Sequence, residues 1–201
     1  MKKTWDFDEF VRLTEEGNWT ATCTKNDVVV DGKSVEGSAL KIARGKTVAK
    51  CDMAAVVALV EDAARRGEWD TLTVKTTVPR VIDDRSRVVY MQSIAQFPAS
   101  ARDFCTEVRA AERGDGSFVQ ICNSQEPGKE DVPNQKGFVR GQTINSGFVI
   151  RQIGEKQTEI VYIMCLDLCG WLPTALVNKV MADGPLALAK LREIAEKDAS
   201  K

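Results

Sequence analysis

Ile160-Val161-Tyr162-Ile163-Met164-Cys165-Leu166, then Asp167-Leu168-Cys169-Gly170, then Trp171-Leu172-Pro173, is the stretch on which the fold turns. Its first seven residues are apolar, rich in strand formers and too few to cross a membrane. The Asp-Leu-Cys-Gly group breaks that run, and Trp171-Leu172-Pro173 leads into a helix. Beyond it Leu172, Leu176, Val180, Ala187, Leu191 and Ile194 recur at helical spacing and form one apolar stripe. Lys179, Lys190, Arg192, Glu193, Glu196 and Lys197 fall mostly off the stripe. At about 1.5 Å per residue a helix over 172–197 is roughly 35–40 Å long. Nothing local can bury so long a stripe, so the strands before it must. Gly184-Pro185 interrupts the pattern, because proline removes a hydrogen bond and clashes with the preceding turn. A kink or short break is expected there, with Pro185 opening the second segment; a tolerated kink and a hinge are both compatible with it.

Outward from this stretch, the chain is mostly short strands. Asp6-Phe7-Asp8-Glu9-Phe10-Val11-Arg12-Leu13 reads as an amphipathic helix capped by Asp6, with Glu9 at the capping-box position, Gly17 as its stop, and Phe7, Phe10 and Val11 as its buried side. Trp19 to Thr24 and Val28-Val29-Val30 flank Asn26-Asp27, a turn pair, and Asp31-Gly32-Lys33 and Arg44-Gly45-Lys46 are two more hairpin signals. Asp52 caps a helix expected over Met53 to Arg66, stopped by Gly67. Leu72 to Val78 alternates, with Leu72, Val74 and Val78 on one face and Thr73, Lys75 and Thr77 on the other. Strands follow at Arg87–Ile94, Arg102–Ala111, Ser117–Ser124, Gly137–Ile153 and Thr158–Leu168. Strands outnumber helices and none alternates as strand–helix–strand, so the class is α+β with an antiparallel sheet. One domain over 1–201 is expected: an N-terminal helix over 1–18, a sheet with an inserted helix over 19–171, and the terminal helix over 172–197. A strongly twisted sheet curling around that helix would leave a concave space beneath it.

Composition narrows the function. The 201 residues give enough chain for a sizeable core, and 43% hydrophobic with 28% charged residues is ordinary for a soluble domain. A formal net charge of -1 supplies no global attraction to nucleic acid or acidic membranes. No apolar run reaches the roughly 20 residues of a membrane-spanning helix. Met1-Lys2-Lys3 is followed by Asp6, Asp8 and Glu9 rather than a signal-peptide core, so a cytoplasmic protein is expected. Histidine is absent, which removes the usual neutral-pH base, the commonest zinc ligand, and Ser-His-Asp or Cys-His catalysis. Cys23, Cys51, Cys105, Cys122, Cys165 and Cys169 contain no CxxC and read as small buried hydrophobes rather than a metal or disulfide site. No metal or cofactor is expected.

The ordered motifs carry a resemblance. Glu68-Trp69-Asp70, Val89-Tyr90-Met91-Gln92, Pro98-Ala99-Ser100-Ala101-Arg102-Asp103-Phe104, Gly116-Ser117-Phe118-Val119, Asn123-Ser124, Gly137-Phe138-Val139-Arg140 and Ser146-Gly147-Phe148-Val149-Ile150 occur in succession. Val161-Tyr162 and Asp167-Leu168-Cys169-Gly170-Trp171-Leu172-Pro173 close the series. In order and spacing, over roughly residues 20 to 195, they resemble the START (StAR-related lipid-transfer) domain. The resemblance implies a helix-grip fold, a curved antiparallel sheet wrapped around a C-terminal helix over a lipid-sized tunnel. It also implies binding of one lipid (sterol, phospholipid or ceramide) and its carriage between membranes. The gate it implies is Leu172–Lys197 with Ala95–Ala101, whose Phe97 and Pro98 form an apolar tip for transient contact with a bilayer, or else a packed turn. On the hinge reading of the break, Gly184 and Pro185 belong to that gate; on the other they are a tolerated kink. Tyr90, Gln92, Arg109, Arg140, Leu172, Leu176 and Val180 are the expected lipid-contacting set. Relatives often place a carboxylate where Gln92 stands, with an arginine partner to which Arg109 corresponds at one residue longer spacing. Either a bulge turns Arg109 inward or it faces solvent; uncharged Gln92 would serve a neutral headgroup or a sterol hydroxyl, whereas an inward Arg109 without a carboxylate partner would need an anionic ligand. Arg140 is either a surface residue or a pocket charge. Trp69 is expected as a core anchor, Arg102-Asp103 as a structural pair holding the loop, and Asp167 as a brace for the turn into the last helix.

Three functions follow. The foremost is a monomeric lipid carrier that performs no chemistry and binds no nucleic acid. A lipid-sensing module that signals to a protein is the second. A cyclase- or hydrolase-like enzyme on the same architecture is the third, which would recruit Asp103, Glu107 or Tyr162 as acid or base.

Overall fold

The structure, a computed structural model, describes residues 1–38 and 40–201. Helix α1 (Phe7–Glu15) starts where the Asp6 carboxylate accepts the Glu9 backbone N–H. Glu9 does not close a capping box; its carboxylate accepts the Thr4 hydroxyl at 2.5 Å. The strands are β1 (Thr20–Lys25), β2 (Val28–Ser34), β3 (Lys41–Ala49), β4 (Thr73–Asp83), β5 (Ser86–Ser93), β6 (Ala101–Glu112), β7 (Phe118–Ser124), β8 (Phe138–Arg140), β9 (Gln142–Thr143), β10 (Ser146–Gly154), β11 (Gln157–Met164) and β12 (Leu166–Asp167). Between β3 and β4 lie α2 (Met53–Glu61), a 3-10 turn (Ala63–Arg65) and α3 (Arg66–Trp69). The chain ends with α4 (Thr174–Asp183), a 3-10 turn (Gly184–Leu186) and α5 (Ala187–Ala199).

The main sheet runs β1-β2-β3-β11-β10-β7-β6-β5-β4 with every neighbour antiparallel, while β8 adds to β6 in parallel and β9 pairs with β12 apart from it. Both faces are covered. Phe148, Ile150, Ile160 and Tyr162 face Leu188, Leu191 and Ala195 of α5 and Val56 and Leu59 of α2. Ile121, Val149, Val161 and Ile163 face Phe10 and Val11 of α1 on the other side. This is the helix-grip arrangement that the terminal stripe demands.

Several local expectations yield to tertiary packing. Asn26 and Asp27 do form a turn, both at positive φ (51° and 57°). Asp31-Gly32-Lys33 and Arg44-Gly45-Lys46 are not turns but lie inside β2 and β3. Gly45 is there because the terminal helix presses on it: a Cβ would stand 2.8 Å from Pro185 Cβ and 3.1 Å from Leu188 Cδ1. The helix expected over 53–66 breaks at Asp62, which turns extended (φ -80°, ψ 93°) and caps the following turn through the Ala64 N–H. Asp52 makes no side-chain cap; Gln152 Oε1 accepts the Met53 N–H instead. Gly67 sits within α3 rather than ending the helix. In β4 the apolar alternation points outward, with Val74 at 63% and Val81 at 70% exposure. Bulges at 73/75 and 77/80 reset its facing, and Thr73 and Thr76 take the inward positions. The segment 137–153 splits into β8, β9 and β10. Cys23 is exposed, unlike the other cysteines.

The terminal helix breaks where glycine and proline stand. Pro185 is buried on Gly45, and Gly184 lies so close to β11 that a Cβ would meet Met164 Sδ at 2.6 Å. The two halves dock unequally. Helix α5 buries Leu188, Ala189, Leu191 and Ala195, whereas α4 buries Met181 alone.

Candidate functional site: a cavity between the sheet and the helices

The inner face of the sheet and the α2–α3 segment enclose a cavity of about 100 Å3. Its floor comes from alternate residues of neighbouring strands: Val89 and Met91, Thr106 and Val108, Gln120 and Cys122, Phe148, and Tyr162. Val60, Ala63 and Arg66 form its roof. The Phe148 and Tyr162 rings stack at 4.6 Å, and Trp69, 1% exposed, meets Phe148 edge-on at 6.1 Å. Trp69 is thus a core anchor. Arg66 lies 4.0 Å above the Trp69 ring and donates to Asp70 Oδ2 at 2.9 and 3.0 Å and to Tyr162 Oη at 3.3 Å. Burial pushes the Cys122 thiol up to about 11 and raises the Tyr162 phenol as well. Both are therefore neutral at pH 7 and serve as weak donors rather than nucleophiles.

A second pocket, about 70 Å3, lies where α4 meets the segment between β5 and β6. Leu172, Leu176 and Val180 line it together with Ile94, Phe104 and Leu168. Arg102 organises this end. It donates to Ser100 O at 2.6 Å, Leu168 O at 3.1 Å and Cys169 O at 3.1 Å, tying the 95–101 loop to the turn before α4. Asp167 braces that turn by accepting the Cys169 N–H at 2.9 Å. Phe97 (96% exposed), Pro98 and Trp171 (84% exposed) project from the same two segments.

The polar residues expected in the cavity lie on the other face of the sheet. Tyr90 and Gln92 alternate with Val89 and Met91 and so point away. Gln92 Nε2 donates to Tyr90 Oη at 3.0 Å, and Tyr90 Oη donates to Asp103 Oδ2 at 2.8 Å. Arg140 belongs to the same outer cluster. Its guanidinium binds both Asp103 oxygens at 2.9 and 3.0 Å and donates to Val132 O at 3.2 Å, holding the 125–137 segment over the sheet. Asp103 is therefore paired with Arg140 and not with Arg102. No bulge turns Arg109 inward. It donates to Glu107 Oε1 at 2.7 Å and lies 4.2 Å above the Trp5 ring, while Val108 takes the inward position. Glu107 and Asp103 are equally remote from the cavity; of the three enzyme recruits, Tyr162 alone lines it. The expected set thus separates into an outer polar cluster and the apolar trio of the α4 pocket.

Sequence reasoning missed Arg66, Thr76, Arg87 and Gln120, which do line the cavity. The available signal was Gln120, a lone amide inside Phe118-Val119-Gln120-Ile121. Trp171 stands within Asp167–Pro173, where nothing in the spacing marks it as the exposed surface group it is.

The family model described as START domain matches residues 11–192. Steroidogenic acute regulatory protein of Xenopus laevis is 29% identical over 137 residues, 66% of this chain, and the match spans only 47% of that relative. The Pseudomonas aeruginosa protein PA1579 is 26% identical over 181 residues, covering 90% of this chain and 88% of the relative. The crystal structure of human STARD10 superposes with a TM-score of 0.84 at 23% identity, over 98% of this chain and 81% of that one.

Proposed function

This chain belongs to the START domain family, and from that premise we propose that it binds one lipid between sheet and helices and carries it through the cytoplasm from membrane to membrane. The observation that supports this most is an apolar cavity roofed by helices, next to a terminal helix whose first half is shallowly docked. Transfer of the apolar tail from water drives binding at roughly 0.8 kcal/mol per buried methylene. The enclosed 100 Å3 is below the roughly 300–1,000 Å3 of a drug-sized pocket, so a lipid enters only as the roof moves. Helix α4 is the part that moves at least cost, since Met181 is its one buried residue and the 3-10 turn at Gly184–Leu186 separates it from firmly docked α5. Opening α4 joins the pocket at Leu172, Leu176 and Val180 to the main cavity. Phe97, Pro98 and Trp171 meet the bilayer at that rim, where exposed aromatic groups gain from an interfacial setting. The protein acts as a monomer and performs no reaction on its cargo, consistent with a cavity whose thiol and phenol are held neutral.

Incubation with liposomes of mixed lipids, re-isolation and native mass spectrometry test this reading. A protein of increased mass, carrying one lipid of a defined class, is expected. Protein that returns empty from every liposome composition refutes it. In a fluorescence assay between donor and acceptor vesicles, Pro185→Ala is expected to change the transfer rate more than the extent of equilibrium binding. Equal changes in both would remove the hinge.

A further inference from the structure

Four buried side-chain polar atoms have no hydrogen-bond partner among the described residues, and three of the four residues line the main cavity: Thr76 Oγ1, Arg87 Nε and Gln120 Nε2. The fourth, Trp69 Nε1, belongs to the ring beside Phe148. Buried polar atoms are normally satisfied, and one left without a partner is destabilising until an acceptor or donor arrives. Three on one small cavity are a recognition feature. Gln120 is 4% exposed and sits across the β7–β10 ladder from Phe148.

The chemistry of the missing partner follows from what these atoms offer. Arg87 Nε–H and the Gln120 amide N–H are donors, and the Thr76 hydroxyl can donate, so the partner must be rich in acceptors. Its charge follows from Arg87. One terminal nitrogen of that guanidinium donates to the Glu61 carbonyl at 2.7 Å, but the Glu61 carboxylate stands 3.9 Å away and is shared with Arg85 at 3.8 Å. Arg66, the other cation on the wall, has its own carboxylate in Asp70. The remaining acid on the wall, Asp62, is exposed and accepts the Ala64 N–H. The cavity therefore holds one guanidinium with an incomplete counter-charge, beside a neutral amide and a neutral thiol.

We infer that the polar end of the ligand is an anionic oxygen acid, a carboxylate, held by Arg87 and Gln120 inside the sheet, with Thr76 further along the cavity wall beside Met91. This rests on the lipid-carrier reading and narrows it. A carboxylate presents two acceptor oxygens, one for the Arg87 N–H and one for the Gln120 amide, and the small size of the cavity favours it over a bulkier headgroup. The apolar tail then runs between Met91, Val108 and Phe148 toward the α4 pocket. The position differs from the one expected on the strands at Gln92 and Arg109, which the fold turns outward.

Laurate and dodecan-1-ol, equal in chain and different in head, are the probes, with the whole chain at pH 7 and binding read by native mass spectrometry and by tryptophan emission, to which Trp69 contributes from beside Phe148. Laurate is expected to bind about tenfold to a hundredfold more tightly than the alcohol, the contribution of one or two charge-assisted hydrogen bonds. Arg87→Met is expected to weaken laurate at least tenfold and so remove that preference, with circular dichroism and an unchanged thermal midpoint showing that the variant is folded. Gln120→Glu, which sets a like charge against the ligand, is expected to invert the preference. If the wild-type protein binds both probes equally, or Arg87→Met weakens both alike, the headgroup assignment is wrong although the carrier reading stands. If neither probe binds and no liposome lipid is extracted, both readings fall together.

Discussion

Replacing Asp103 by alanine separates a structural role for Arg140 from a ligand-binding one. Asp103 is 1% exposed, the Arg140 side chain 9%, and the two share hydrogen bonds of 2.9 and 3.0 Å, with Tyr90 Oη adding a third to the carboxylate at 2.8 Å. The charge-assisted bond to Asp103 raises the Arg140 guanidinium above its ordinary pKa; when its partner goes the cation still does not discharge, because a guanidinium keeps its proton in a protein. Breaking one side of a buried pair leaves an uncompensated charge, which costs about 3–5 kcal/mol. Glu130 at 3.6 Å softens this, and the carbonyls of Val132 and Pro133 still accept from the guanidinium, so the lower end of that range is expected. At roughly 2–4 °C per kcal/mol for a domain of this size, the midpoint of thermal unfolding drops by about 6–12 °C. Asp103→Ala combined with Arg140→Met removes the orphaned charge and should recover part of the loss. Calorimetry on the wild type, both single variants and the double variant reads the coupling. A drop of under about 2 °C, or a double variant that merely sums the singles, refutes the reasoning. Lipid extraction by folded Asp103→Ala should match wild type, since the pair lies outside the cavity.

Gly45→Ala places a methyl 2.8 Å from Pro185 Cβ and is expected to cost about 1–3 kcal/mol, read as a lower urea midpoint with unchanged slope. Phe97→Ser with Trp171→Ser should reduce co-sedimentation with liposomes severalfold and leave laurate binding unaltered; equal co-sedimentation would remove these side chains from the membrane contact. Alkylation by iodoacetamide at pH 8 should modify Cys23 first and Cys122 and Cys165 last. Burial raises both late thiols to about 11, so they carry little thiolate until the pH approaches that value, and peptide mapping over time reports the order.

The fold was more legible than the site, and for one physical reason. A helix stripe as long as 172–197 states its need for a sheet in the sequence itself, and Gly184-Pro185 states where the helix must break. Which face of a strand looks inward is written only if one face is polar. Here β5 and β6 are covered on both sides, by the helices within and by the 125–137 segment without, so the period-two signal fades. Tyr90 and Gln92 stand one residue from the inward positions at Val89 and Met91, and of the two facings open to Arg109 the fold takes the outward one, with Val108 inside. Gly32 and Gly45 misled in another way. In isolation each marks a turn, and only the arrival of Pro185 and Leu188 explains Gly45 inside a strand.

The pairing of β3 with β11 joins Ala43–Ala49 to Thr158–Met164, more than a hundred residues downstream. On a ribosome, β1, β2 and β3 are made early but find their neighbour late, after β11 has left the exit tunnel. Until then the inner side of this meander, with Val28, Val30 and Ala43, has neither a sheet to join nor α5 to cover it. The strands from β4 to β10 can pair among themselves meanwhile, because their partners lie close in sequence. Synthesis thus yields a half-built sheet with an unjoined arm, and the last forty residues close it. A chain halted before Gln157 would offer that arm to any passing strand, so chaperone dependence should fall sharply once translation passes α5.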